Sequence, residues 1–119
     1  MKSVWFLELH NFTAAWADHR LTVEDFLSLQ DAILADPRRH PVIAGIGGLR
    51  KIRFAPRSSG RGKRGAFRVC YALFDRFSAI VLVFVYGKNE MKTLPPAVKK
   101  TVKKLLVELE QEIEQKMGR

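Results

Sequence analysis

Two segments decide the architecture: Leu49-Arg50-Lys51-Ile52-Arg53-Phe54 and, beyond a stretch rich in Gly, Ser, Arg and Lys, Ala66-Phe67-Arg68-Val69-Cys70-Tyr71-Ala72-Leu73-Phe74. In the first, alternation sends Ile52 and Phe54 to one face and puts Lys51 and Arg53 together on the other, the period of a strand with one side in a core. In the second, the large residues Phe67, Val69, Tyr71 and Leu73 alternate with Arg68, Cys70 and Ala72, so Arg68 stands on a face of small neighbours with space beside it. Two strands joined by a basic loop, each showing cations on its open side, predict a sheet with a charged face.

Outward from this pair, the N-terminal third reads as strand then helices. Ser3 to Leu9 is aromatic and aliphatic, a first strand, and Asn11 is placed to cap a short helix with Phe12, Ala15, Trp16 and His19 on one side. Thr22 with Asp25 three residues on resembles a capping box, and Leu21 and Phe26 occupy the staple positions. This second helix is expected to bury Phe26, Leu29 and Ala32 or Ile33, and to stop at Asp36-Pro37. Val42 to Gly48 is a loop whose glycines let the chain turn before a strand begins at Leu49. After Phe74, a short connection through Asp75 and Arg76 leads to Ala79 to Tyr86, apolar throughout, as expected of a central strand covered on both faces. Gly87 to Glu90 ends it, and Pro95-Pro96 opens a last helix with an apolar stripe of Val98, Val102, Leu105, Leu109 and Ile113.

The charge is as uneven as the pattern. Of 21 Lys and Arg, the stretch from Pro37 to Phe74 holds Arg38, Arg39, Arg50, Lys51, Arg53, Arg57, Arg61, Lys63, Arg64 and Arg68, with no Asp or Glu. The remaining basic residues nearly balance the 12 acids, so the formal charge of +9 is local. A concentrated field of one sign repels itself and is best explained by a polyanionic partner, which makes this a phosphate-facing surface. The last helix is charged against its own dipole, with Lys99, Lys100, Lys103 and Lys104 early and Glu108, Glu110, Glu112 and Glu114 late. Either this is a solvated helix whose charges happen to lie so, or the early lysines extend the basic surface.

Several classes are excluded. At 119 residues and 47% hydrophobic, the chain is one domain with a single core, spanning residues 1–119. A lone cysteine makes no internal disulfide, Cys70 reads as a buried thiol, and the longest uncharged apolar run is too short for a bilayer, so a cytoplasmic protein is expected. Gly60-Arg61-Gly62-Lys63-Arg64-Gly65 matches a dinucleotide fingerprint in form only, because it leads into β-branched and aromatic residues and not into a helix. No Walker A pattern, carboxylate cluster or Cys/His set is present, so no cofactor and no metal are expected.

Three segments, Gly48-Leu49-Arg50-Lys51-Ile52-Arg53-Phe54, Gly62-Lys63-Arg64-Gly65-Ala66-Phe67-Arg68-Val69-Cys70-Tyr71 and Tyr86-Gly87-Lys88-Asn89-Glu90, together with Phe12-x-x-x-Trp16 and Leu21-Thr22-x-x-Asp25, resemble the HigB branch of the RelE/ParE superfamily of bacterial toxins. The likeness covers nearly the whole chain. It implies an α+β, microbial-ribonuclease-like fold: two N-terminal helices, an antiparallel twisted sheet of about four strands and a C-terminal helix. It also implies a toxin of a type II toxin-antitoxin system that cuts messenger RNA on the 70S ribosome without a metal, the ribose 2′-hydroxyl attacking the phosphodiester, and that is held silent by a HigA-like helix-turn-helix antitoxin. That chemistry needs a base, cations for the pentavalent phosphate and an acid for the leaving oxygen.

Carried over by position, the resemblance implies catalytic roles for Lys51, Arg53, Arg68 and Lys88, with Arg50, Arg57, Arg61, Lys63, Arg64, Asn89 and Lys92 binding RNA. A lysine among arginines is one route to a base without histidine, and the planar fork of Arg68 suits phosphate oxygens. RelE-type members place a tyrosine shortly after the fourth strand, where this chain has Met91-Lys92-Thr93-Leu94. Tyr86 and Tyr71 are the candidate substitutes, Tyr71 falling on the core face, and His40 is a minor candidate, so the sequence leaves the identity of the base open. The alternative is a non-enzymatic toxin on the same scaffold, such as a ParE-type gyrase inhibitor, or a nucleic-acid-binding module.

Overall fold

Each expected element forms. The structure, a computed structural model, describes residues 3–56, 66–90 and 93–117. Along the chain run β1 (Trp5–Glu8), α1 (His10–Asp18), α2 (Val23–Ala35), β2 (Leu49–Phe54), β3 (Phe67–Phe74), a 3-10 turn (Asp75–Phe77), β4 (Ala79–Gly87) and α3 (Pro96–Met117). The strands make one sheet in the order β1-β4-β3-β2. The molecule is therefore α+β, with the apolar β4 in the middle and β1 and β2 at the edges.

The sheet is mixed, which corrects the antiparallel expectation. β2, β3 and β4 pair antiparallel, but β1 runs parallel to β4, with Phe6 opposite Ile80 and Leu7 opposite Val81. A parallel neighbour needs a long return of chain, and the α1–α2 pair with β2 and β3 supplies it.

Two apolar layers sandwich the sheet. On one face Phe12 and Trp16 of α1 and Leu29 and Ile33 of α2 pack on Ile52, Phe54, Val69, Tyr71, Ile80, Leu82 and Val85. On the other, Val102 and Leu106 of α3 pack on Leu49, Cys70, Ala72, Val81, Val83 and Tyr86. The apolar stripe of α3 is turned slightly from expectation, since Leu106 is buried and Leu105 is 39% exposed. In α2, Ile33 takes the core position and Ala32 faces out.

The capping box at Thr22 forms as read. The Thr22 hydroxyl accepts from the Asp25 N–H at 3.0 Å, while the Asp25 carboxylate accepts from the Thr22 N–H at 2.9 Å. Asn11 does not cap α1, because the helix starts two residues earlier than such a cap implies, at His10, with Leu9 in the cap position and no side-chain cap. The 42–48 segment is more than a loop: Ile43 N–H donates to the Leu49 carbonyl at 2.7 Å, and Lys51 N–H to that of Pro41 at 3.0 Å, covering part of the outer edge of β2. Gly45, Gly47 and Gly48 have φ of +85°, +62° and +96°, conformations that side chains rarely adopt, and these turn the chain into β2.

One buried hydrogen bond ties the turn after α2 to the sheet. The Tyr71 hydroxyl donates to the Pro37 carbonyl at 2.7 Å. Tyr71→Phe leaves that carbonyl without its donor, a loss of about 1–3 kcal/mol. Urea denaturation is expected to show a lower midpoint at unchanged slope; an unmoved midpoint would mean that water replaces the hydroxyl.

Candidate functional site

The antiparallel register fixes which cations meet. Arg53 on β2 lies opposite Arg68 on β3, and Arg68 lies opposite Tyr86 on β4, so three polar-tipped side chains form a row across three strands. The adjacent row is Lys51, Cys70 and Phe84. Cys70 and Tyr86 belong to the apolar layer on the α3 face, while Ile52, Val69 and Val85 belong to the helical-pair layer, and alternation therefore assigns Lys51, Arg53 and Arg68 to the α3 face.

A β-bulge puts Tyr86 there. Between Cys70 and Tyr71 the register slips, so Cys70 faces Phe84 and Tyr71 faces Leu82, with Val83 as the extra residue on β4. Strict alternation from Ile80 and Leu82 would have carried Tyr86 to the helical-pair face. The inserted residue inverts the phase, and Val83, Phe84 and Tyr86 all belong to the α3-side layer.

Among the described residues the row meets no opposite charge. Directly opposed like charges in a sheet destabilise it, and neither Lys51, Arg53, Arg68 nor Lys88 forms an ion pair among the described residues. Arg68 is half-buried and donates to the Ala66 carbonyl at 3.1 Å, while Arg53 is exposed. Beneath them Tyr86 is buried next to Cys70; burial foremost raises its hydroxyl to about 12 and pushes the Cys70 thiol up to about 11. At neutral pH both carry their protons, so Cys70 is no nucleophile and a neutral Tyr86 hydroxyl lies under the row.

The other expected residues are distributed unevenly. Lys88 and Asn89 are exposed on the turn that follows β4, at the end of the sheet where the row lies. Glu90 fixes this turn: its carboxylate accepts from the Gly87 N–H and sits 3.0 Å from His19 Nε2, whose ring stands edge-on to Phe67. Neither His19 nor Glu90 carried a sequence signal for this clasp, because they are paired only by the fold.

Arg50 does not join the row. It alternates onto the other face and donates to the carbonyls of Arg38 and His40 at 2.8 and 2.7 Å, holding the 38–40 segment. His40 packs edge-on against Tyr71, on the helical-pair side, and burial foremost lowers its affinity for a proton. Tyr71 itself is buried, raised to about 12 and committed to Pro37. Arg57, Arg61, Lys63, Arg64 and Lys92 lie outside the described residues.

Among the described residues no group of three or more His, Cys, Asp or Glu is placed to hold a metal ion, and no helix is long and apolar enough to cross a membrane. No family model matches the chain. Taken chemically, the site is a cationic strip with one protonated hydroxyl at its floor, suited to grip a phosphodiester and to stabilise added negative charge on it.

Proposed function

We propose that this chain is a cytoplasmic ribosome-dependent endoribonuclease, the toxin of a type II toxin-antitoxin pair, of RelE/HigB type and with that family's microbial-ribonuclease-like fold. The observation that supports it best is the cross-strand row of Arg53, Arg68 and Tyr86 beside Lys51, on a sheet face without a described carboxylate partner. In this reading the scissile phosphate lies over Arg68, and its fork takes the non-bridging oxygens as the 2′-hydroxyl attacks. As the 2′-oxygen bonds to phosphorus its proton passes to solvent, Lys51 and Arg53 neutralise the charge that builds in the pentavalent state, and the P–O5′ bond breaks with Lys88 donating a proton to the leaving oxygen. The partners are messenger RNA on the 70S ribosome and a HigA-like helix-turn-helix antitoxin.

Expression without an antitoxin is expected to arrest growth, with new 5′ ends mapping inside translated messages. Ends at background while gyrase-dependent DNA breaks accumulate would assign the chain to the ParE-type alternative.

Tyr86 supplies a sharper test within the site. A tyrosine hydroxyl keeps its proton through the neutral range and burial foremost raises this one further, to about 12, so in this reading it turns from Cys70 to donate to the phosphate and is not a phenolate. Tyr86→Phe keeps the ring in the core and is expected to slow cleavage by about tenfold to a hundredfold, the range of a lost neutral donor up to the low end of an oxyanion donor. Unchanged single-turnover cleavage would confine Tyr86 to packing.

A further inference from the structure

The flanks of α3 differ. Ala97, Thr101 and Leu105 line a surface depression with Leu9, His10 and Asn11, which turns that flank toward β1 and α1. A helix advances about 100° per residue, so Lys99 and Lys103 project from the opposite flank. Because the strands run β1-β4-β3-β2, this second flank faces β3 and β2, the strands that carry Arg68, Lys51 and Arg53.

The direction of α3 sets which end of that flank is basic. Ala97 and Val98 lie by Val83 and Phe84, whereas Leu109 and Ile113 lie by Ala79 and Leu7, so α3 runs antiparallel to β4. Its start is therefore at the Tyr86 end of the sheet. Farther along the same flank come Glu110 and Glu114, and Glu114 accepts from Arg76, just past the far end of β3, at 3.1 Å. The charge order that opposes the helix dipole thus places cations beside the row and acids away from it. Lys99 is half-buried on this flank and Lys103 is exposed on it, while Lys100 and Lys104 are exposed on the side of the helix away from the sheet.

We infer that Lys99 and Lys103 form a second rank of phosphate-binding cations facing Lys51, Arg53 and Arg68, so that one single-stranded RNA lies with its phosphates against both ranks. This rests on the ribonuclease reading for the identity of the polyanion. Two further phosphates are neutralised by the α3 rank, and counterion release makes that number measurable.

The test compares Lys99→Gln/Lys103→Gln with Lys100→Gln/Lys104→Gln, which removes the same charge from the solvent side of the same helix. The probe is a short single-stranded RNA methylated at every 2′-oxygen, which binds but offers no attacking hydroxyl. A plot of log affinity against log salt is expected to lose about 1.4 from its slope in the first variant, at about 0.7 per phosphate, equivalent to about 25-fold weaker binding at 0.1 M salt. The second variant is expected to stay close to wild type, and circular dichroism checks that both fold. Equal losses in the two variants, no loss in the first, no binding by wild type, or a loss confined to an acidic protein partner would each overturn the inference. If the slopes differ as expected but unmethylated RNA and translated messages stay uncut, the ribonuclease reading fails and the two-rank surface stands.

Discussion

Arg68→Ala is expected to lower single-turnover cleavage by about 10²–10³-fold, about 2.7–4 kcal/mol of transition-state stabilisation, by analogy with the loss of an oxyanion donor. Arg68 is the middle member of the row, with Arg53 across one strand pair and Tyr86 across the other, so it is the cation best placed to contact a phosphate gripped from both sides. The fold is expected to tolerate the change. The mutation removes one hydrogen bond, to the Ala66 carbonyl, worth about 0.5–1.5 kcal/mol. It also relieves the Arg53–Arg68 repulsion, an opposing term of about 0.2–1 kcal/mol. A urea midpoint close to wild type with cleavage lowered to this extent identifies a catalytic cation; a protein that no longer folds would make Arg68 structural. Arg68→Lys separates charge from shape, because a lysine keeps the point charge but loses the planar fork, and only partial recovery is expected.

How far the row was legible depends on what periodicity can carry. In β2 the alternation of Ile52 and Phe54 against Lys51 and Arg53 is a local signal, and the structure follows it residue by residue. The capping box at Thr22 is equally local, since both of its hydrogen bonds join residues three apart. Tyr86 was different: in an apolar run such as Ala79 to Tyr86 every position suits either face, and the face of Tyr86 depends on a bulge that only the pairing with β3 reveals. Arg50 illustrates the reverse case. Composition places it in the basic cluster, but its Nη1 donates to carbonyls of the 38–40 segment, a contact between chain segments ten or more residues apart. The parallel pairing of β1 with β4 was likewise hidden, because strand direction depends on how the intervening chain returns and leaves no mark in a four-residue strand.

The opposite face of the sheet gives the second large effect, expected from Phe12→Ala. Phe12 is fully buried, its ring stacked on Trp16 at 5.7 Å and edge-on to Phe26 at 6.5 Å, so three aromatic side chains from α1 and α2 share one cluster. Trp16 in turn stacks on Phe54 at 6.1 Å, and its indole N–H donates to the Thr22 carbonyl at 3.3 Å. Removing the Phe12 ring leaves a void that Trp16 cannot fill without giving up Phe54 or its hydrogen bond, and the expected cost is about 3–5 kcal/mol. Against a total of about 5–15 kcal/mol for a domain, that brings the variant close to unfolding. The cluster lies across the sheet from Lys51, Arg53 and Arg68, so cleavage per folded molecule should be nearly unchanged at low temperature and fall only as the folded fraction falls. Denaturation followed by tryptophan fluorescence, with cleavage assayed on the same samples, tests both halves. A loss below about 1 kcal/mol would show that α1 packs more loosely than its burial implies, and a cleavage defect in fully folded protein would show that Phe54 transmits the packing of α1 to Arg53 beside it.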